Sequence, residues 1–225
     1  MSKPVLTKLD ASPPACAVRM LADIIGLELD YTPDPDWTKL EHKTPEYLKL
    51  NPMGTIPVLR DGDFVLSDSH AIMVYLLSKY GGDKRESLYP SEVRARALVD
   101  QCMYFDTGVF FIRLKVVALS SLLLGLKGPS EQHLADLEAG YQAVEAYLSR
   151  HEYAAADHLT LADLSLVSSI ASSQAVLKVD PVKFPRTVAW LARMEQESFY
   201  QKVMAPGVAI LTNALNMMWN KNNKQ

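Results

Sequence analysis

The chain has little cysteine, with only Cys16 and Cys102 among its 225 residues. Two thiols are too few for a disulfide framework or a four-cysteine zinc site, and such low usage fits a reducing compartment. Neither sign of charge dominates, since 23 Lys and Arg residues face 26 Asp and Glu residues, for a formal net charge of −3. We therefore expect no chain-wide basic field that would bind nucleic acid or an anionic membrane.

Long apolar runs are also missing. The longest apolar-rich stretch, residues 116–126, is interrupted by Ser120, Ser121 and Gly125 and is shorter than the roughly 18–20 apolar residues that a membrane span needs. The first residues lack the apolar segment of a secretory signal. Hydrophobic residues make up 48 % of the chain and charged residues 22 %, which is typical of a globular protein. We expect a soluble, cytoplasmic chain with no bound metal and a core large enough to hold a pocket.

Two patterns divide the chain. Residues 1–81 alternate between strand-like and helical stretches in the order β-α-β-α-β-β-α, with a hairpin at Asp61-Gly62-Asp63. Residues 82–90 are polar and bounded by Gly and Pro, as in a linker, and residues 91–225 are helical in pattern. The expected fold class is an α/β domain followed by an all-α domain. The predicted strands are Val5–Leu9, Leu27–Tyr31, Ile56–Arg60 and Phe64–Leu66.

Three places in the first domain lie just outside a regular element, where open α/β sheets tend to bind ligands. The first is Ser12, which directly precedes Pro13, a residue suited to the first helical position. Its hydroxyl is thus expected at a helix N-terminus, where unpaired amides favour anions. Ser12 is either a simple N-cap or a donor to a bound anion or thiolate. No His and Asp pattern beside it makes Ser12 itself a nucleophile.

The other two places are Ile56-Pro57 and Asp68-Ser69. A trans Ile56-Pro57 bond is the frequent case, since only about 5–6 % of X–Pro bonds in folded proteins are cis. A cis bond would instead turn the Ile56 amide and carbonyl toward an extended peptide. At Asp68-Ser69, helix amides and a hydroxyl suit a carboxylate while the acid suits an ammonium, the two charges of an amino-acid group. The alternative is helix capping by Ser67 or Ser69, with Asp68 complementing the dipole.

The order and spacing of these segments carry a resemblance. SPPACAVRML, EHKTPEYLKLNPMGTIPVLRDGD and LSDSHAIMVYLLSKYG resemble the glutathione-binding domain of cytosolic glutathione S-transferases, most of all the insect delta and epsilon classes, with SPP closest to epsilon. LTLADLSL resembles the capping-box segment of their helical domain. The resemblance covers nearly the whole chain. It implies a thioredoxin-like N-terminal domain, an all-helical C-terminal domain, a homodimer, and glutathione as co-substrate.

The same resemblance implies a role for each site residue. Ser12 matches the catalytic serine that hydrogen-bonds the glutathione sulfur. The main chain before the family's cis-proline pairs with the cysteinyl part of glutathione, and an acid–serine pair holds the γ-glutamyl group. The expected glutathione-binding residues are Ser12, His42, Gly54, Thr55, Ile56, Pro57, Asp68, Ser69 and His70.

One segment departs from the family pattern. Relatives often read LNPQHTIP, with a histidine that contacts the glycyl carboxylate, whereas this chain has Met53-Gly54. A lost hydrogen bond to a charged group is worth about 1.5–3 kcal/mol at most. We therefore expect glutathione binding to be weakened, about tenfold or more, with partial compensation by His42.

A pocket for a second, hydrophobic substrate is expected between the domains, on the helix that lines it in relatives. The alternative role of Phe105 and Phe111 is to pack in the core of the helical bundle. Lys115 either stabilises a negatively charged leaving group or is a surface lysine without a role in the site. The expected pocket residues are Pro14, Phe105, Phe111, Leu114, Lys115, Ala118 and Leu119.

The function implied is transfer of glutathione to electrophilic hydrophobic compounds, as in detoxification. The main alternative is a transferase-fold protein that sequesters hydrophobic ligands with little turnover, which the Met53-Gly54 departure favours. Ser12, Asp68 and Ser69 favour catalysis. Cys16, one helical turn after Ser12, is expected to be a small buried side chain.

Overall fold

Four strands form one mixed sheet in the computed structural model, which describes residues 3–36 and 39–224. Strand β1 (Val5–Thr7) is parallel to β2 (Asp30–Tyr31) and antiparallel to β3 (Val58–Asp61), which pairs with β4 (Phe64–Ser67) in a hairpin. The strand order is β2-β1-β3-β4. The hairpin turns at Gly62, whose φ of +65° suits a residue without a Cβ.

Helices α1 (Pro13–Ile25), α2 (Pro45–Leu50) and α3 (Ser69–Tyr80) complete the first half, so the predicted β-α-β-α-β-β-α order is confirmed. The second strand is shorter than the predicted Leu27–Tyr31. Helix α1 ends at Gly26, and the Leu27 N–H still donates to Ala22 O at 2.9 Å. The chain therefore pairs with β1 only from Asp30 onward.

The second half contains helices alone within the described residues. Two π-helical segments, Asp106–Phe110 and Tyr200–Met204, interrupt the helical run. No helix in the described ranges has the length and apolar character needed to cross a membrane. The helices are α4 (Arg85–Leu88), α5 (Val93–Phe105), α6 (Phe111–Leu123), α7 (Glu131–Tyr147), α8 (Leu161–Ser173), α9 (Pro185–Glu195) and α10 (Ala205–Asn222).

Helix α8 is the centre of the molecule, and every one of its residues is buried. The capping box expected from LTLADLSL starts it: Asp163 Oδ2 accepts from Thr160 N at 2.9 Å, while Oδ1 accepts from Trp190 Nε1 at 3.0 Å. On its other side α8 packs against α1, which also packs against α3. One continuous core thus joins the two halves and fixes the N-terminal end of α1 relative to the helical half.

Candidate active site

Ser12 occupies the N-cap position of α1, with a partly exposed side chain. Its main chain is fixed at both ends, since Ser12 N donates to Leu9 O at 2.9 Å and Ser12 O accepts from Cys16 N at 2.9 Å. Its hydroxyl makes no capping bond to the helix. The simple N-cap interpretation is therefore wrong for the hydroxyl, which is left available to a ligand.

The helix behind Ser12 offers fewer free amides than the sequence argument assumed. Pro13 and Pro14 fill its first two positions and have no N–H, and Cys16 N is already bonded to Ser12 O. Ala15 N–H is the remaining donor of the first turn. Cys16 is 1 % exposed, its thiol donates to Asp10 O at 3.3 Å, and burial raises the pKa of that thiol to about 12. Cys16 is therefore a buried, protonated thiol and is not a nucleophile of this site.

The bond between Ile56 and Pro57 is cis, as the resemblance implied. Ile56 precedes the sheet ladder, which begins at Val58, so its N–H and C=O are not used by the sheet. The residue before Ile56, Thr55, is held in place by side chains of α2 and of the residue that follows this helix. Tyr47 Oη donates to Thr55 O at 2.9 Å, and Asn51 Nδ2 donates to the same oxygen at 2.8 Å.

Asp68 is the N-cap of α3, so the expectation that Ser67 or Ser69 caps this helix is wrong. Its Oδ1 accepts from His70 N at 2.9 Å and from Ala71 N at 3.1 Å. The hydrogen bond from the His70 side chain, helped by these amides, holds the pKa of Asp68 below its usual value despite burial. Asp68 adopts a φ of +75°, a backbone conformation that costs energy outside glycine and concentrates at functional sites. Its side chain stays about half exposed, which leaves room for a ligand.

His70 connects this helix start to the helical half. Its Nε2 donates to Ser165 Oγ at 2.7 Å, and Ser165 Oγ in turn donates to Asp106 Oδ2 at 2.5 Å. Asp106 Oδ2 is 3.6 Å from His70 Nε2, and Asp68 Oδ1 is 3.7 Å from His70 Nδ1. Burial disfavours the imidazolium, but the hydrogen bonds and charges of Asp106 and Asp68 outweigh it and raise the pKa of His70 to about 9. His70 is therefore a cation at neutral pH.

His42 and Gly54 lie together on the other side of Ile56. His42 is 2 % exposed, and burial, followed by the charge of Lys43, lowers the pKa of its imidazole. Gly54 is buried with a φ of +58°, and a Cβ built on it would come within 2.8 Å of His42 O. This end of the site thus holds a neutral histidine beside a glycine that tolerates no added side chain without rearrangement.

The residues expected to line the second-substrate pocket divide into two groups. Leu114 is 1 % exposed and faces the helical core. Phe105 packs edge-to-face on Tyr147, with ring centroids 5.4 Å apart, which favours its alternative role in the bundle core. The rest keep accessible surface, and Lys115 is exposed. Phe105 is itself only partly buried, and the others with accessible surface are Pro14, Phe111, Lys115, Ala118 and Leu119.

Two concavities elsewhere contain none of these residues. One, of about 370 Å³, lies between α9 and the end of α7, and the other, of about 550 Å³, lies between the segment 83–90 and the segment before α8. Ser12, Ile56 and Asp68 are a stronger indication of the site than cavity size, because these residues carry the groups that bind charge and pair with a peptide main chain.

Comparison with known proteins bears directly on this arrangement. Residues 11–79 match the family model for the glutathione S-transferase N-terminal domain, and residues 128–197 match that for the C-terminal domain. Glutathione S-transferase 1 of Manduca sexta is 37 % identical over 204 residues, which cover 90 % of this chain and 92 % of the relative. The chain belongs to the glutathione S-transferase family.

Solved structures of the family agree over nearly the full length. A glutathione transferase homologue from Drosophila mojavensis, with bound glutathione, has a TM-score of 0.91 and 41 % identity, with 97 % of this chain and 98 % of that chain covered. An epsilon-class glutathione S-transferase from the housefly, Musca domestica, has a TM-score of 0.92 and 35 % identity, with 96 % and 98 % covered. The expected fold class, transferase activity and glutathione co-substrate, and the likeness to the insect epsilon and delta classes, are confirmed.

Two residues of the transferase site escaped the sequence analysis as site residues. Asp106 and Ser165 are 3 % and 1 % exposed, and they complete the environment of His70 although they lie 36 and 95 residues further along the chain. Asp106 begins a π-helical segment, a feature that often marks functional positions in helices. Only the packing of α8 between the two halves brings these side chains to His70.

Proposed function

We propose that Ser12 is the catalytic residue and holds the glutathione sulfur as a thiolate. The observation that supports this is an uncapped, partly exposed hydroxyl at the start of α1. A free thiol has a pKa of about 8.5, so only a few per cent is ionised at pH 7. A hydrogen bond to a charged group contributes about 1.5–3 kcal/mol, which corresponds to a thiol pKa lower by about one to two units. Thiolate then becomes a large fraction at neutral pH.

The helix contributes less than the hydroxyl to this effect. Helix N-termini stabilise an anion mainly through N–H groups without an intrahelical partner, and each such interaction is worth roughly 0.3–1 kcal/mol. Here the two prolines leave Ala15 N–H as the donor of the first turn. The proposal therefore assigns most of the shift in the thiol pKa to the Ser12 hydroxyl.

The rest of glutathione extends to both sides of the sulfur. The Ile56 main chain pairs with the cysteinyl part, on the rigid support that Asn51 and Tyr47 give to Thr55. At the γ-glutamyl end, the half-exposed Asp68 carboxylate receives the ammonium, while the Ser69 N–H and hydroxyl at the start of α3 receive the carboxylate. His70, which Asp106 helps to keep cationic, lies beside Asp68 and Ser69 and offsets part of the negative charge of Asp68 at this end.

Conjugation then needs only proximity and an electrophile. The thiol proton leaves to solvent, the sulfur forms a bond to the electrophilic carbon, and the leaving group departs with its electron pair. We place the hydrophobic electrophile against Phe111, Ala118 and Leu119. The domains of this proposal are residues 1–81 and 91–225, joined by a linker at 82–90. We place the protein in the cytoplasm. Holding two reactants in contact is a large part of enzymatic rate enhancement.

A two-step assay tests this function against ligand sequestration. The purified protein should be retained on immobilised glutathione, be eluted by free glutathione, and convert chloro-dinitrobenzene to its glutathione conjugate with release of chloride. Retention without turnover, or tight binding of hydrophobic dyes without retention, would support the sequestering alternative. A match in both steps supports the transferase.

We also propose a homodimer, because the first half and α5 each carry exposed apolar side chains. Phe64 and Val65 on β4 are exposed, as are Val93, Leu98 and Tyr104 on α5. Large exposed apolar side chains of this kind are candidates for burial against a second copy of the chain. A second copy of the chain is the partner implied by the family resemblance.

Sedimentation velocity checks the dimer. The chain of 25.0 kDa should sediment as a species of twice that mass. Tyr104→Glu places a charge within the surface and should shift the distribution toward monomer at micromolar protein. Leu124→Glu is the matched control, because Leu124 is equally exposed but follows α6, away from α5 and β4. A monomeric wild type would refute the proposal.

A further inference from the structure

Atoms of neighbouring residues occupy the space beside Gly54 that a side chain would need. A Cβ built on it would lie 2.8 Å from His42 O and 2.9 Å from both Cδ and Nζ of Lys43. The space that a side chain at position 54 needs is therefore already occupied by the end of the Lys43 side chain. A side chain at position 54 and Lys43 in this rotamer exclude each other.

The Lys43 ammonium lies next to Gly54, and it has more N–H donors than the described residues use. Its Nζ donates to Met53 O at 3.1 Å, and this uses one of the three protons of an ammonium. No carboxylate in residues 3–36 and 39–224 forms an ion pair with it, and the side chain is on the exposed surface. The neighbouring histidine, His42, does not supply a cation at neutral pH, since burial and the Lys43 charge both lower its pKa.

The position of this ammonium matches one end of the proposed glutathione site. Gly54 is two residues before Ile56, so their Cα atoms are at most about 7.6 Å apart. An extended tripeptide paired with Ile56 through its cysteine carries its glycyl carboxylate one residue, about 3.5 Å, further on. The γ-glutamyl end is assigned to Asp68 and Ser69 at the start of α3, which leaves the side of Gly54 for the glycyl end.

We propose that Lys43 binds the glycyl carboxylate of glutathione and substitutes for the side chain that position 54 lacks. The inference rests on the proposed glutathione site and adds to it a binding residue that the sequence analysis did not select. The Met53-Gly54 departure then does not remove the binding site for the carboxylate, because the absence of a side chain at Gly54 leaves space for the Lys43 side chain. The chemical group recognised is a free carboxylate one residue beyond the cysteine.

The test combines a change in the protein with a change in the ligand. Lys43→Ala should raise the Kd and KM for glutathione about 5- to 20-fold, less than a fully buried hydrogen bond to a charged group would give because the ammonium is exposed, while kcat changes less than about twofold. Glutathione esterified at the glycyl carboxyl should bind the wild type more weakly by a similar factor. In Lys43→Ala, glutathione and the ester should bind within about twofold of each other.

Two further variants control the result. Lys49→Ala removes the same charge from an exposed position in the last turn of α2 and should bind glutathione as the wild type does. Lys43→Arg keeps a cation and should retain most of the affinity. If Lys43→Ala binds glutathione as tightly as Lys49→Ala, or still discriminates against the ester as the wild type does, the role of Lys43 is refuted while the glutathione site stands. If the wild type binds neither ligand, both proposals are refuted.

Discussion

Ser12→Ala should keep glutathione binding within about threefold of the wild type and lose most of its conjugating activity at neutral pH. The hydroxyl is the group at the start of α1 that is free to donate to the sulfur, since Pro13 and Pro14 supply no N–H. Without that bond the bound thiol is only a few per cent ionised at pH 7, instead of about a quarter to three quarters, so kcat for chloro-dinitrobenzene at pH 7 should fall about 8- to 25-fold.

The pH dependence separates thiol ionisation from other effects of this substitution. In the wild type the rate should level off near neutral pH, because the bound thiol is already ionised there. In Ser12→Ala the pH at half-maximal rate should move up by about one to two units toward the value of a free thiol, and much of the lost activity should return at pH 9. The measurement is initial rate at saturating glutathione between pH 5.5 and 9.5.

Ser78→Ala is the matched control, because Ser78 is exposed on α3 and far along the helix from its start. It should leave both the rate and its pH profile unchanged. An unchanged profile in Ser12→Ala would remove the hydroxyl from thiol ionisation, even if the rate fell. A large loss of glutathione retention in Ser12→Ala would instead make Ser12 a binding residue.

Local chemistry explains which parts of this site could be predicted from the sequence. The order of strands and helices along the first half follows from the hairpin at Asp61-Gly62-Asp63 and from the prolines that begin helices, all of which act over a few residues. The same local signals also showed that Pro13 and Pro14 lack N–H groups, but the sequence argument still counted several free amides at the start of α1. The structure corrects this, and the consequence is a larger share for the Ser12 hydroxyl.

The remaining features depend on contacts between distant segments. His70, Ser165 and Asp106 are brought together only when α8 packs against the first half, and no pattern within any one segment marks them. The contact between Lys43 and Gly54 is similar, because the sequence shows a missing side chain at position 54 but not which neighbour fills the space. Such pairings are properties of tertiary packing, which periodicity and capping signals do not encode.

The second large effect expected is on the pH dependence of stability, through His70. Its pKa in the folded chain is about 9, above the ordinary value of 6.5. A group with a raised folded pKa stabilises the fold fully below its unfolded pKa and loses that contribution as pH rises through the folded pKa. The shift corresponds to about 2–4 kcal/mol of stability that is present at pH 6 and disappears between pH 6.5 and about 9–10.

His70→Gln should remove this contribution. At pH 6 the variant should be less stable than the wild type by about 2–4 kcal/mol, because Asp106 loses its buried cationic partner, and at pH 10 the difference should be small. Asp106→Asn should flatten the same pH dependence while the histidine is kept. The measurement is urea unfolding at pH 6, 7.5, 9 and 10, at one fixed protein concentration because association would shift the midpoints.

His158→Gln is the control for replacing a histidine in general. His158 is exposed, and its Nε2 contact with Ser87 O, at 3.0 Å, can be made by a glutamine amide as well. This variant should follow the wild type at every pH. If the difference between His70→Gln and the wild type is the same at pH 6 and pH 10, His70 is not a cation in the folded chain. Its connection to Asp106 would then be a hydrogen-bonded contact of a neutral imidazole between the two halves, without a positive charge to offset that of Asp68.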